Sequence, residues 1–290
     1  QHLVAFRGAN WKDRLQPAAR LEYKAAADIV EHPYHIFQHN DRQLRSDMQW
    51  ITAGPRSQAD PPHTVVLGDY PVFIEESAQV TGSILNAREG PVYIGKNAVV
   101  MEGSCIRGPF AMLEGAVVKM GSRIYGATTL GPYCTAGGEI KNAVLTGYSN
   151  KSHDGYLGDA VIGEWCNLGA NTNCSNLKNN AGTVRIWSKA AGSYIAAGKK
   201  CGVIMGDYSR CGIGTMLNTG TVIGISCNVF GGDFPPKHIP SFSWGGASGW
   251  MRYELDKAVQ DAAAWMQLKG ITMPHEDEAI LRHIFAVQHG

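Results

Sequence analysis

The sequence lacks a net charge of either sign, a long hydrophobic run and a signal segment. Its 290 residues carry 26 Lys and Arg against 25 Asp and Glu, a net charge of +1. This balance argues against a general electrostatic attraction to nucleic acid or to an anionic membrane. No apolar run approaches the roughly 18 residues of a membrane helix, and no charged-then-apolar segment opens the chain. We therefore expect a soluble, cytoplasmic protein whose anionic ligands are met by local charges.

The sequence also lacks any CxxC pair among its seven cysteines. Most of these cysteines stand where a small buried side chain fits the repeat described next, and we expect them to be reduced core residues, as in cytosolic proteins.

Six-residue repeats fill the middle of the chain, from about Ile94 to Val229. In rows from Ile94 the sequence reads IGKNAV, VMEGSC, IRGPFA, MLEGAV, VKMGSR, IYGATT, LGPYCT and AGGEIK. The first column is almost wholly aliphatic, the fifth is mostly small, and glycine recurs between them. One large and one small inward position per six residues indicates short strands joined by tight bends. The helical spacing of three and four is absent. The rows predict a parallel β-helix.

The segments around the repeats define the expected organisation. Residues 1–60 contain helical stretches at 18–30 and 36–51. Because the chain begins at Gln1, we interpret this segment as a linker or the tail of a truncated N-terminal domain. Residues 61–234 hold the β-helix, and 235–290 hold an exit strand followed by helices at about 253–269 and 275–287.

Two polar interruptions break the rows, at 142–156 and at 177–201. Insertions on a repeat scaffold form loops on its faces, where binding and chemistry usually lie. The first interruption contains His153, beside Asp154, and it is the only histidine between His63 and His238. A zinc site of the β-helical carbonic anhydrase type needs three histidine ligands. The sequence therefore excludes that use and favours a functional, metal-free role for His153.

Four motifs carry a resemblance to a known family: GPVYIGKNAVVMEGSCIRGPFA, GYSNKSHDG, LGDAVIGEWCNLGANTN and PSFSWGGASG. With them, residues 35–285 resemble the acetyltransferase half of the bifunctional GlmU family, and above all its Bacteroidetes-type sugar nucleotidyltransferase members. The resemblance implies a left-handed, homotrimeric β-helix with acyl-transfer sites between subunits. It also implies that residues 1–60 are the remnant of a nucleotidyltransferase-like domain.

The resemblance also assigns roles to residues. His153 matches the catalytic base, which fits the need to deprotonate an amine near neutral pH. Tyr156, Asn167 and Asn176 match positions that orient the sugar, the base or the acyl donor. The cations that hold the sugar phosphate match Arg123 and Lys141 without gaps, whereas alignment by repeat register moves the lysine position to Ala143. The positions that contact acyl-CoA are Ala170, Ile213 and Gly231.

The expected function is transfer of an acyl group from acetyl-CoA to an amino-sugar phosphate or a nucleotide-linked amino sugar. Mg²⁺ would serve only the missing nucleotidyltransferase half, and neither nucleic acid nor membrane is an expected partner. The alternative is a non-catalytic β-helix that trimerises or regulates a sugar-1-phosphate nucleotidyltransferase. Two departures from the family lie near its expected CoA path: a longer excursion at 184–200, and Leu177 and Lys178 in place of a tyrosine-aspartate pair.

Overall fold

The computed structural model describes residues 28–54, 56–59 and 61–289. The helical stretch expected at 18–30 therefore lies mostly outside the described residues. Within the described part of the chain, no helix is long and apolar enough to cross a membrane.

Short parallel strands wind into a β-helix with three faces. The first face holds Val65–Leu67, Ile84–Asn86, Cys105–Arg107, Arg123–Tyr125, Asn173–Cys174 and Met216–Leu217. The second face holds Val72–Ile74, Val92–Ile94, Phe110–Met112, Thr128–Leu130, Ile204–Met205, Val222–Ile223 and His238–Ile239. The third face holds Gln79–Val80, Val99–Val100, Val117–Val118, Thr135–Ala136, Asn150–Lys151, Asn167–Leu168, Arg210–Cys211, Asn228–Val229 and Ser243–Gly246. Two longer strands, Glu139–Gly147 and Tyr156–Glu164, bend from the first face into the second.

The inward columns of the repeat form one continuous core. Every first-column residue from Ile94 to Ala136 is buried, and so is every fifth-column residue from Ala98 to Cys134, the large Phe110 included. Stacking coil on coil removes this apolar surface from water, which a single repeat cannot do alone. The predicted fold class, a left-handed parallel β-helix, is confirmed.

The prediction of a loop at 142–156 is wrong. The strand Glu139–Gly147 continues through its first part, and Asn150–Lys151 pairs in parallel with the strands on either side. Leu145, Ser149 and Lys151 are all buried in inward positions. The polar composition of this stretch misled the prediction, because its polar residues occupy corners and two inward positions, Ser149 and Lys151, of a regular coil.

The N-terminal helix and the excursion cover the second face. Helix α1 (Tyr34–Ile51) agrees with the stretch expected at 36–51. The excursion forms an antiparallel hairpin of Val184–Ser188 and Ser193–Gly198. Apolar residues of both pack into one cluster with the second face. Asn40 of α1 is also buried, donates to the carbonyl of Ala127 at 2.7 Å and accepts from the Thr129 hydroxyl at 2.9 Å.

Two C-terminal helices cover the third face: α2 (Leu255–Gln267) and α3 (His275–His289), close to the two that were expected. The Arg210 guanidinium of the third face lies 5.1 Å from the Trp265 ring centre. Just beyond α2, Lys269 donates to the Tyr133 carbonyl at 2.6 Å. Among the described residues, no helix packs on the first face, where apolar side chains such as Val65 and Ile84 remain exposed.

Six of the seven cysteines are buried and all are free thiols. This agrees with the expectation for most of them. Cys105 is the exception, because it points outward on the uncovered first face.

Replacing Asn40 with Ala should loosen α1 from the second face. The change leaves the Ala127 carbonyl without its donor and costs about 1–3 kcal/mol. We expect faster proteolysis or amide exchange within α1, and a lower midpoint of chemical denaturation. Gln49→Ala on the exposed side of α1 is the control. Equal protection of α1 in both variants would contradict the assigned role of Asn40.

Candidate active site

The three predicted acyl-donor positions, Ala170, Ile213 and Gly231, line up with His153 along one edge of the β-helix. This edge is the corner where each coil turns from the third face to the first, called the third-to-first corner below. His153 follows Lys151 by two residues, and Ala170, Ile213 and Gly231 stand in the same place after Leu168, Cys211 and Val229, which share one strand register. The structure therefore brings the proposed base and the proposed donor positions into a single column.

A groove of about 370 Å³ opens beside His153 at this corner. Its lining residues are Lys119, Met120, Gly138, Ser152, His153, Asp154, Ala170 and Asn171. The imidazole is exposed to the groove, and the Met120 and Ile213 side chains along the same edge are 70% and 80% exposed. The groove is thus open and partly apolar, and Ile213 lies beyond it on the same edge.

A shortened corner creates this groove. Between the third and first faces the coils before and after use four residues, 119–122 and 152–155, but the coil between them uses only Gly137 and Gly138. Gly138 has φ +71°, and a β-carbon there would lie 2.9 Å from the His153 carbonyl oxygen. Glycine is required for this close approach. The missing bulk leaves a recess between Met120 and His153.

The predicted phosphate cations lie on the adjoining first face. Arg123, Glu139 and Tyr156 are opposite one another on three successive strands, and Lys141 is opposite Tyr125. The Nε of Arg123 is 3.7 Å from a Glu139 carboxylate oxygen. Both cations therefore point outward from the uncovered face next to the groove.

The alternative alignment, by repeat register, would place the phosphate-binding lysine position in the core. Ala143 is fully buried and faces the core from the second-face part of its strand. A residue at that position cannot meet an external phosphate, so geometry favours Lys141.

Tyr156 and Asn176, both predicted to bind substrate, are in direct contact. The Asn176 amide donates to the Tyr156 hydroxyl oxygen at 3.0 Å and also to the carboxylate of Asp159. Asn142 donates to the same carboxylate at 2.7 Å. Burial, followed by the nearby Asp159 charge, raises the pKa of Tyr156 to about 12. The phenol therefore keeps its proton at neutral pH and can donate it to a ligand oxygen.

Asn167 does not join this group within one chain. It lies on the third face, in register with Asn150 and Arg210, whereas Tyr156 lies on the first face. The excursion hairpin is also remote from the third-to-first corner, because it packs on the second face with α1. Its expected place near the CoA path is not met within a single chain.

Several residues of the site were not predicted from the sequence. Asp159 anchors Asn176 and accepts a second hydrogen bond from Asn142. Gly158 makes room for the Tyr156 hydroxyl, which an added β-carbon would overlap. The six-residue register of the rows carried a signal for this region. In that register the coil at 136–139 is two residues short, and Lys151 falls in a column of inward positions that is otherwise apolar.

Comparison with known proteins supports the resemblance read from the motifs. No family model matches the chain. It is 33% identical over 120 residues to the bifunctional protein GlmU of Methanocaldococcus jannaschii, covering 41% of this chain and 27% of the relative. It is 26% identical over 214 residues to GlmU of Synechococcus elongatus, covering 68% and 42%. The chain thus spans less than half the length of these curated relatives.

Among solved structures, the polySia-specific acetyltransferase NeuO overlaps 71% of this chain and 97% of its own, at 12% identity and a TM-score of 0.39. The sequence relatives show that the chain is similar to GlmU and related sugar-1-phosphate nucleotidyltransferase/acetyltransferases, as its motifs predicted.

Replacing Asp159 with Asn should release Asn176 and with it the Tyr156 hydroxyl. The carboxylate accepts two amide hydrogen bonds in a buried position. An amide there keeps one acceptor oxygen and turns its NH2 group toward the other donor, which costs about 1–3 kcal/mol. We expect a lower free energy of unfolding in urea. The matched control is Asp154→Asn, since Asp154 is exposed at the groove. Equal stability of the two variants would show that Asp159 does not hold the cluster.

Proposed function

We propose that this chain transfers an acyl group from a CoA thioester to the amine of an amino-sugar phosphate, with His153 as general base. The observation that carries the proposal is the single column of His153, Ala170 and Ile213, in which His153 and Ala170 line the groove, next to a face with outward-pointing cations. We further propose acetyl-CoA as the donor. Nucleotide transfer and its Mg²⁺ would belong to a separate domain of the full-length protein.

Acyl transfer from a thioester to an amine requires a base beside the thioester. His153 takes a proton from the amine nitrogen as that nitrogen attacks the thioester carbonyl. The new C–N bond forms, the C–S bond breaks, and the CoA sulfur leaves with the proton that His153 returns. The exposed imidazole, which lines the same groove as Ala170, supports this role.

The first face supplies groups for the acceptor. Arg123 and Lys141 suit a phosphate, because guanidinium and ammonium groups form charge-assisted hydrogen bonds with its oxygens. The Tyr156 hydroxyl and the Asn176 amide suit sugar hydroxyls. The uncovered first face, with its exposed apolar residues, supports a homotrimer in which a second copy completes the site.

Replacing His153 with Ala should abolish acyl transfer. General-base catalysis contributes about 10²- to 10⁴-fold, so we expect the rate of CoA release with glucosamine-1-phosphate to fall by that factor. His275→Ala, exposed at the start of α3, is the control. Unchanged turnover in the His153 variant would refute the proposal. A wild-type protein that is trimeric by analytical ultracentrifugation but inactive with every acceptor would favour the non-catalytic alternative.

Replacing Arg123 or Lys141 with Met should weaken binding of phosphorylated acceptors selectively. Each lost charge-assisted contact corresponds to about 10- to 100-fold in affinity. We expect KM for glucosamine-1-phosphate to rise accordingly, while the kinetics with glucosamine itself change little. Arg107→Met is the control on the same face, where Arg107 pairs with Glu89. An equal effect on both acceptors would contradict a phosphate site.

A further inference from the structure

Lys151 is a buried cation in an apolar column. It occupies an inward position of the third face, opposite Ala136, and its side chain is almost fully buried. The equivalent positions in the other coils of the described chain are apolar or glycine: Val80, Val100, Val118, Ala136, Leu168, Cys211, Val229 and Gly245. Burying an ammonium group is costly unless hydrogen bonds compensate for the lost water. A buried ammonium two residues from His153 is therefore expected to have a structural role that compensates for this cost.

The other coils show what this corner normally requires. In five of them a buried hydroxyl stands immediately before the first-face strand and donates to the carbonyl that opens a third-to-first corner. These donors are Ser83, Ser104, Ser122, Thr172 and Thr215. Buried carbonyls need such partners because an unpaired one is costly. The hydroxyl is thus a recurrent element of the corner.

The two coils at the groove have no such hydroxyl. Gly138 and Gly155 occupy its position, with φ of +71° and +120°. A β-carbon on Gly138 would lie 2.9 Å from the His153 carbonyl oxygen, and one on Gly155 would overlap the Thr172 carbonyl. Serine or threonine cannot be accommodated at either position. The carbonyls of this corner have to be satisfied in another way.

The Lys151 ammonium donates one hydrogen bond to each of these two corners. Its Nζ donates to the Gly137 carbonyl at 3.0 Å and to the His153 carbonyl at 2.7 Å. Gly137 opens its corner, so its carbonyl corresponds to those that the hydroxyls bond elsewhere. One cation therefore ties the short corner to the corner that carries His153.

We propose that Lys151 is a positioning residue for His153: its buried ammonium replaces the absent hydroxyl at the Gly137 carbonyl and, through its second hydrogen bond, fixes the His153 backbone against the Gly137–Gly138 corner. This inference rests on the proposed function in taking His153 as the base. Lys151 itself is buried beneath the groove and acts through the His153 backbone.

The first test measures amide exchange at the corner and does not depend on enzymatic activity. In Lys151→Met the apolar stem keeps similar volume but loses both donors. We expect amide exchange at residues 152–155 and at Asn171, whose N–H donates to Asp154, to accelerate about 10- to 100-fold. Lys96→Met, at an exposed lysine on another corner, should leave it unchanged. If Lys151→Met does not fold, Lys151→Leu copies the residue at position 168. Unchanged exchange in a folded variant would overturn the proposal.

The second test measures catalysis. A displaced base costs rate more than binding, so we expect kcat of Lys151→Met to fall about 10- to 100-fold with KM nearly constant. A kcat within twofold of wild type would overturn the positioning role. If wild-type protein transfers no acyl group, the proposed function fails by itself, and the exchange measurement still decides whether Lys151 fixes the corner.

The pH dependence of stability gives a third readout. Burial lowers the pKa of Lys151 from 10.5 to about 8; Asp154 opposes the shift and Arg123 adds to it. Between about pH 8 and 10.5 the unfolded chain binds more protons at this lysine than the folded protein, so its contribution to stability rises with pH in that window. The wild type should show this rise relative to Lys151→Met. Parallel stability profiles of the two proteins would contradict a buried ammonium.

Discussion

The inward stacking of equivalent residues on successive coils determines where every side chain of the candidate site lies. Because one large and one small residue per six point inward, the corners of neighbouring coils fall directly above one another. This register turns sequence positions as distant as His153 and Ile213 into neighbours along one edge. The site is therefore a property of the repeat itself, and any loss of register within the coils would disperse it.

The two-residue corner at Gly137 and Gly138 is the main departure from this regularity. It opens the groove, brings the His153 corner close and excludes the hydroxyl that other coils place there. A buried lysine then takes over the hydrogen bonds that hold the corner. One local deletion thus accounts for the shape of the groove, for its glycines and for a charge in the core.

Much of this could be predicted from the sequence. The aliphatic and small columns specify the β-helix, because a period of six with two inward positions suits this fold better than any helix. The motifs around His153 and Tyr156 led to the resemblance and to the candidate base. Polarity alone could not distinguish a loop from a coil at 142–156, since Ser149 and Lys151 are buried there through contacts made between coils. Pairings such as Asn176 with Asp159 depend on corner geometry that no linear pattern encodes.

We expect an acyl donor to lie along the third-to-first corner and to present its thioester to His153. A crystal structure of the protein with CoA bound would locate the donor. The CoA sulfur should lie in the groove between Met120 and Ala170, within hydrogen-bonding reach of the His153 imidazole, and the pantetheine arm should extend past Ile213. CoA bound instead on the second face, beside α1 and the hairpin, would rule out this site.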